Sequence, residues 1–418
     1  MAISDLASRA PDINYKPDYE KYQARVERRL ASEQLNSTLP IGFPQKLESD
    51  LVWDSTDIGA RYDWTYPLTT TDLEEIESAL QHFKSLGKPP GYVNQETFPL
   101  PLLHAKLREI SNEIHNGFGF KVVRGLPVHK HTREDILIIY AGLASHIAPV
   151  RGRQDNKYDG KLADVVLNHI KDLTATHNAS KIGAPAYTAD KQVFHTDSGD
   201  IIALLCLEEA AQGGQSKVSS SWRVYNELAE TRPDLIRTLA EPWPTEIFGD
   251  PNHKFVDRAL LHYTPSTPSS PERIIIQYAR RTFTGFLGLP RDPSIPALSE
   301  AQAEALDALH FIAEKHGLGL DFKKGDVQFV NNLSIFHARD GFANSPEKQR
   351  HLVRLWLRDP ELAWRIPETL RGRWDKVYEG MGEGRAESQV WPLDAYIRSA
   401  SLGAEKEKKG GGKGCVIQ

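Results

Sequence analysis

The chain has 418 residues and a mass of 46.9 kDa, with 26% charged and 40% hydrophobic side chains, proportions that exclude wholesale disorder. Its 51 basic and 56 acidic residues leave a formal charge of −5 and a pI near 6.3, so no global basic field exists to hold nucleic acid. Two cysteines, Cys206 and Cys415, cannot build a disulfide framework, which fits a reducing, cytoplasmic compartment. The first residues lack a basic-then-apolar leader, and no run of about 18 apolar residues is present to span a membrane.

In chain order, residues 1–70 are polar and turn-rich, with a charged stretch from Tyr19 to Glu33 that suits an amphipathic helix; they read as an extension wrapped over a core. From Thr71 to Leu86 the spacing of Leu73, Ile76, Leu80 and Phe83 predicts a helix with acids near its start. FKVVRGLP (120–127) predicts a strand closed by a Gly/Pro turn, followed by a helix over 134–147. VVLNHI, IIALLCL, RIIIQYA, VQFVNN and HLVRLWL carry the β-branched and aromatic content of strands. Between them lie two helices, one through RVYNELAETRP and one capped by Ser299 with Gln302 three residues on and stopped at Gly317. Strands interrupted by helices predict a single α+β domain over residues 71–400, built on a β-sandwich or barrel. The Gly-, Lys- and Glu-rich residues 401–418 predict a flexible tail.

The first feature with chemical content is His195-Thr196-Asp197. In a chain with 15 histidines and 56 acids, chance alone supplies roughly two such His-x-acid triplets, so the motif carries nothing by itself. Its flanks, QVF and IIALLCL, are apolar. In an extended strand, residues i and i+2 face one side, which lets His195 and Asp197 converge on one ion. Neutral imidazole plus carboxylate ligands suggest the two-His, one-carboxylate face that leaves positions open on iron(II). His337, in VNNLSIFHARDGF, is the candidate third ligand, against the plainer reading of a solvated histidine beside an ARDG turn.

Past His337, the run QRHLVRLWLRD alternates. His351, Val353, Leu355 and Leu357 fall on a core face, and Arg350, Leu352, Arg354, Trp356 and Arg358 fall on the other. Arginines beside Leu and Trp are costly to bury without anions, so this second face is either solvated or a guanidinium fork for a carboxylate.

The order His-Thr-Asp, a distant His, and Arg thirteen residues later resembles the iron(II)- and 2-oxoglutarate-dependent oxygenases, and within them the TauD/TfdA group, taurine dioxygenase and its relatives. FHTD, AQGGQS, LSEAQAEALDALHFIAEKHGL, KKGDVQFVNN, IFHARDGF and RHLVRLWL agree in order, over roughly residues 120–360. The resemblance implies a double-stranded β-helix (jelly-roll) core with flanking and inserted helices. It implies His195, Asp197 and His337 as iron ligands, Arg350 and Ser216 on the distal carboxylate of 2-oxoglutarate, and Arg354 towards the substrate. The implied reaction consumes dioxygen and 2-oxoglutarate, releases succinate and CO2, and oxidises a small organic substrate. Where the taurine enzyme has HIHPVY this chain has HIAPVR, placing Ala148 and Arg151 at two sulfonate-binding positions, and Lys191 stands where that enzyme has an asparagine. These departures imply a larger, more cationic pocket, with Arg151 and Lys191 joining Arg354 on an anionic substrate. The alternatives are a catalytically silent barrel that binds a ligand or partner, and a zinc hydrolase, which would not require Arg350.

The terminal Cys415-Val416-Ile417-Gln418 matches a prenylation box favouring farnesyl, behind Lys406, Lys408, Lys409 and Lys413, and predicts peripheral membrane contact through a lipidated Cys415. Cys206, inside IIALLCL, reads as a small core residue.

Overall fold

The computed structural model of the chain describes residues 11–250, 252–382 and 385–402; the Cys415 box and most of the Lys/Gly tail lie outside them. The apolar run Ile201–Glu208 forms the expected strand and pairs antiparallel on both flanks, with Val327–Asn331 on one side and His351–Arg358 on the other. Phe120–Arg124 and a short parallel Thr65–Pro67 extend one edge. Leu167–Lys171 and Val150–Arg151 lie along His351–Arg358 at the other, completing a seven-stranded sheet. A second sheet is antiparallel throughout, in the order Leu318–Gly319, Ser216–Ser220, Ile335–Arg339, Gln192–His195. The two pack face to face, with Val122 and Val330 of the large sheet against Val218 and Ile335 of the small one. This is the jelly-roll core with flanking and inserted helices.

Period-two alternation decides which side chains go where. Val353, Leu355 and Leu357 point outward with Ala203, Leu205 and Phe329, under a layer made by the helices Thr70–Ser85, Leu103–Asn116 and Arg133–Ile147. The intervening Arg350, Arg354 and Trp356 are also buried, facing the space between the sheets. The arginine-bearing face is therefore interior rather than solvated.

The capping signals hold in detail. Ser299 Oγ accepts from the Gln302 backbone at 3.1 Å, the Gln302 side chain accepts from Ser299 N at 3.0 Å, and the helix they start runs Glu300–His316. The charged helix Tyr19–Ser32 lies against it through the buried pairs Arg25–Asp307 (2.5 Å) and Arg29–Glu304 (2.6 Å). Apolar packing is thus not the only tie between the N-terminal residues and the domain, and breaking one partner of either pair would leave a buried charge uncompensated. Among the described residues, no helix is long and apolar enough to cross a membrane.

Several histidines set an acid limit on this packing, among them the buried His310 and the half-buried His262. Desolvation pushes His262 down to about 4 and His310 to about 3. The unfolded chain takes up these protons near pH 6.5, where the folded chain does not. Their contribution is therefore complete above pH 6.5 and is lost as pH falls towards 4 and then 3. Denaturant unfolding at pH 7.5 and pH 4.5 is expected to differ by roughly 2–3 kcal/mol for each histidine. His310→Gln should remove its share of that difference; an equal pH dependence in the variant would refute the assignment.

Candidate active site

His195 is the last residue of the strand Gln192–His195, and its partner across the ladder is His337 in Ile335–Arg339. The two rings lie 4.2 Å apart, centroid to centroid. His337 therefore sits within a strand, not in the turn that ARDG suggested. Asp197 lies beyond the end of its strand, so strand alternation is not what aims it. The bend that follows does so: Asp197 Oδ1 lies 3.9 Å from His195 Nε2 and Oδ2 lies 3.9 Å from His337 Nε2. Donor atoms of all three residues fall within 4.8 Å of one another, the one such group among the described residues.

Neighbouring groups hold these side chains. His195 Nδ1 lies 2.9 Å from the Val193 carbonyl, to which it donates, so Nε2 carries the lone pair; Gln192 Nε2 lies 3.1 Å from it and would give way to an ion. Asn332, wholly buried, receives the Asp197 N–H on its Oδ1 (2.8 Å) and donates Nδ2 to the Asp197 and Gly199 carbonyls (3.0 and 2.7 Å). Thr196 is fixed from the other side by the Tyr278 carbonyl and Gln277. A helix beyond the sheets, Glu368–Tyr378, pins the same loop: Arg373 Nε donates to Ser198 Oγ (2.7 Å), Trp374 Nε1 to Asp200 Oδ1 (2.5 Å), and Tyr378 Oη accepts from Asp200 N (2.9 Å). Because Asn332 aims a ligand without being one, Asn332→Ala is expected to weaken metal binding about 10–100-fold. Anaerobic metal titration checks this, and unchanged affinity would show that the bend holds its shape unaided.

The electrostatics favour a cation. Desolvation pushes His337 down to about 3 and lowers His195 as well, so both imidazoles are neutral at physiological pH. Burial by itself would raise Asp197, yet the Arg354 guanidinium beside it holds its carboxyl well below the usual carboxylate range. Two neutral nitrogens and an ionised carboxylate are ready for a divalent ion without first losing protons.

Arg350 stands just before His351–Arg358, behind the turn Gly213-Gly214. Both glycines have positive φ (+74° and +73°), and a Cβ on Gly214 would come 2.9 Å from Arg350 Cδ, so the approach of backbone to guanidinium requires glycine. Arg350 Nε donates to the Gly214 carbonyl at 3.3 Å, whereas Nη1 is buried without a partner, and burial lowers the group to about 9. Ser216, also buried, opens the next strand two residues past Gly214. Four residues along the arginine face of the strand, Arg354 donates Nη1 to Asp197 Oδ2 (2.5 Å) and Nε to Gln154 Oε1 (2.8 Å).

Two expected substrate contacts are not brought to the site. Arg151 is the register partner of Leu357, so its side chain emerges on the outer face under the helices. There it donates to the carbonyls of Val93 (2.6 Å) and Gly91 (2.7 Å) and to Gln389, and stacks on Trp391. Ala148 is buried in the same outer layer, so HIAPVR does not widen the pocket. Lys191 pairs with Glu314 at the surface (2.5 Å). Sequence reading missed Asn332, Gln277, Gln154, Arg373 and Arg398. The Asn pair ending VQFVNN was a usable signal for the first, whereas the arginines lie past the last recognisable strand.

Comparison with known proteins places this geometry. A family model described as "Taurine catabolism dioxygenase TauD, TfdA family" matches residues 59–356. The chain is 38% identical over 341 residues to "Taurine hydroxylase-like protein SAT17" of Stachybotrys chartarum, covering 80% of this chain and 85% of that one. The chain belongs to the TauD/TfdA family. The "FR-33289 synthase" of Streptomyces rubellomurinus is 24% identical over 318 residues, covering 73% of this chain and 88% of that one. A solved asparagine oxygenase, in complex with Fe(II), 3-hydroxyasparagine and succinate, shares the fold with a TM-score of 0.53 at 13% identity, over 71% of this chain and 94% of that one. TauD/TfdA proteins are oxidoreductases that use iron(II), 2-oxoglutarate and dioxygen. The residues of this TauD/TfdA chain fit those groups: the His195, Asp197 and His337 donor set suits iron(II), and the unpartnered, buried Arg350 Nη1 suits an acid.

Proposed function

We propose that this dioxygenase oxidises a C–H bond of a small organic acid, converting 2-oxoglutarate to succinate and CO2 in the same turnover. The observation that carries the reading is the pairing of the ligand trio with Arg350, a buried cation whose Nη1 meets no protein acceptor. A zinc hydrolase would need the trio but not Arg350, and a silent barrel needs neither.

Iron(II) and 2-oxoglutarate, when bound, supply the oxidising power drawn from dioxygen. The chain's own part is to bind and orient. His195 is fixed in one tautomer by Val193, and Asp197 is held ionised by Arg354 and aimed by Asn332. Arg350 and Ser216 would take the distal carboxylate of the cosubstrate, where charge-assisted hydrogen bonds offset the desolvation of a buried acid. No side chain has to shuttle a proton, since both imidazoles are neutral and free to act as ligands.

The test is anaerobic titration of the protein with iron(II) and 2-oxoglutarate, followed by a metabolite screen scored by substrate-stimulated succinate release. A weak visible absorption that needs both iron and 2-oxoglutarate supports the reading. A protein that binds zinc but never 2-oxoglutarate refutes it.

A further inference from the structure

Trp356 is the last residue matched by the family model, and its ring carries two guanidinium groups, with Arg354 Cζ 4.9 Å and Arg398 Cζ 5.4 Å from its centroid. Arg398 comes from the C-terminal segment, beyond the family-matched residues. One residue ties the pair together: Gln154 takes Arg354 Nε on its Oε1 (2.8 Å) and Arg398 Nη1 on its backbone carbonyl (3.0 Å). The Arg398 backbone N–H is anchored on Tyr187 Oη (3.2 Å). A third cation, Arg373, is held by Ser198 and lies within electrostatic reach of both Asp197 and Arg398.

Around this ring, three buried donors have no partner: Arg354 Nη2, Arg398 Nε and Trp356 Nε1. Gathering like charges in a desolvated place is unfavourable unless an anion joins them. Asp197 is the carboxylate that Arg354 touches, and an ion bound at the trio would draw on the same oxygens. Asp155, which also lies within reach of Arg398, has its oxygens engaged by Ser399 N and Oγ and by Tyr396 Oη.

We infer that Arg398 and Trp356 Nε1, with Arg373 adding charge, complete with Arg354 a subsite for an oxyanionic group of the substrate (a carboxylate, sulfonate or phosphonate). The segment after residue 356 then determines which acid is accepted. This rests on the functional reading above, and it excludes neutral and cationic molecules as preferred substrates.

The test is calorimetric titration of the full chain, loaded anaerobically with iron(II) and 2-oxoglutarate, using acetate, methanesulfonate and methylphosphonate as probes. In the wild type at least one probe is expected to bind, and the tightest identifies the acid class. Arg398→Gln should weaken that probe at least about tenfold while leaving 2-oxoglutarate affinity unchanged. Arg398→Lys should recover part of the loss, and Trp356→Phe, which keeps the stacking but not the Nε1 donor, should weaken it several-fold. Arg350→Gln should do the reverse, losing 2-oxoglutarate and keeping the probe. If 2-oxoglutarate binds and no probe does, or if Arg398→Gln and Trp356→Phe both bind the probe like wild type, the subsite is overturned and the oxygenase reading stands. If 2-oxoglutarate itself fails to bind the wild type, both fall. Melting curves of the apo-variants identify any that fail to fold, in which case Arg398→Lys and Trp356→Phe decide.

Discussion

Replacing His337 by alanine is expected to bring iron-dependent succinate release down to the level of the metal-free protein, with His195→Ala doing the same. The expectation comes from placement: the two imidazoles are cross-strand neighbours at a fixed 4.2 Å, and no other group of three donors in the described residues can take over. Melting curves of both variants, run alongside, separate lost ligation from lost packing, since His195 is buried. Asp197 needs a gentler change. Asp197→Ala would leave the buried Arg354 without its carboxylate, which costs about 3–5 kcal/mol and confuses lost chemistry with lost folding. Asp197→Asn keeps the shape and should still lose iron binding, with melting followed alongside the titration. Turnover that survives in His337→Ala removes the ligand assignment.

Arg350→Gln is expected to raise the KM for 2-oxoglutarate about 10–100-fold with little change in kcat at saturation, because it deletes contacts made equally in ground and transition states. The same variant separates a binding role from a structural one. In the protein without cosubstrate, Arg350 is a desolvated cation whose Nη1 is unsatisfied, and burial already lowers it to about 9. Removing it should leave the apoprotein at least as stable as wild type. A variant that melts well below wild type with an unchanged KM would make Arg350 a packing residue.

Much of this was legible in the sequence. Alternation in HLVRLWL separated an outer face (Val353, Leu355, Leu357) from an arginine face, and the structure buries both. The Ser299–Gln302 cap also announced itself locally, because it is a backbone requirement that few residue types meet. What failed depended on register. Nothing local says that Arg151 pairs with Leu357, yet that single pairing sends its side chain to the outer layer, away from the site. Asp197 was placed correctly for a wrong reason, since the bend clamped by Asn332 aims it, and Asn332 is 135 residues distant in sequence. Arg373 and Arg398 were invisible because their meaning depends entirely on where a helix and a loop dock.

The helix Glu368–Tyr378 holds the ligand-bearing bend from outside the two sheets. The oxidising centre therefore leans on polypeptide that lies past both sheets. A graft that swapped the stretch 360–400 wholesale would slacken the carboxylate corner of the metal site unless Arg373, Trp374 and Tyr378 travelled with it. An engineer wishing to retarget this catalyst should keep those three anchors and vary what surrounds them.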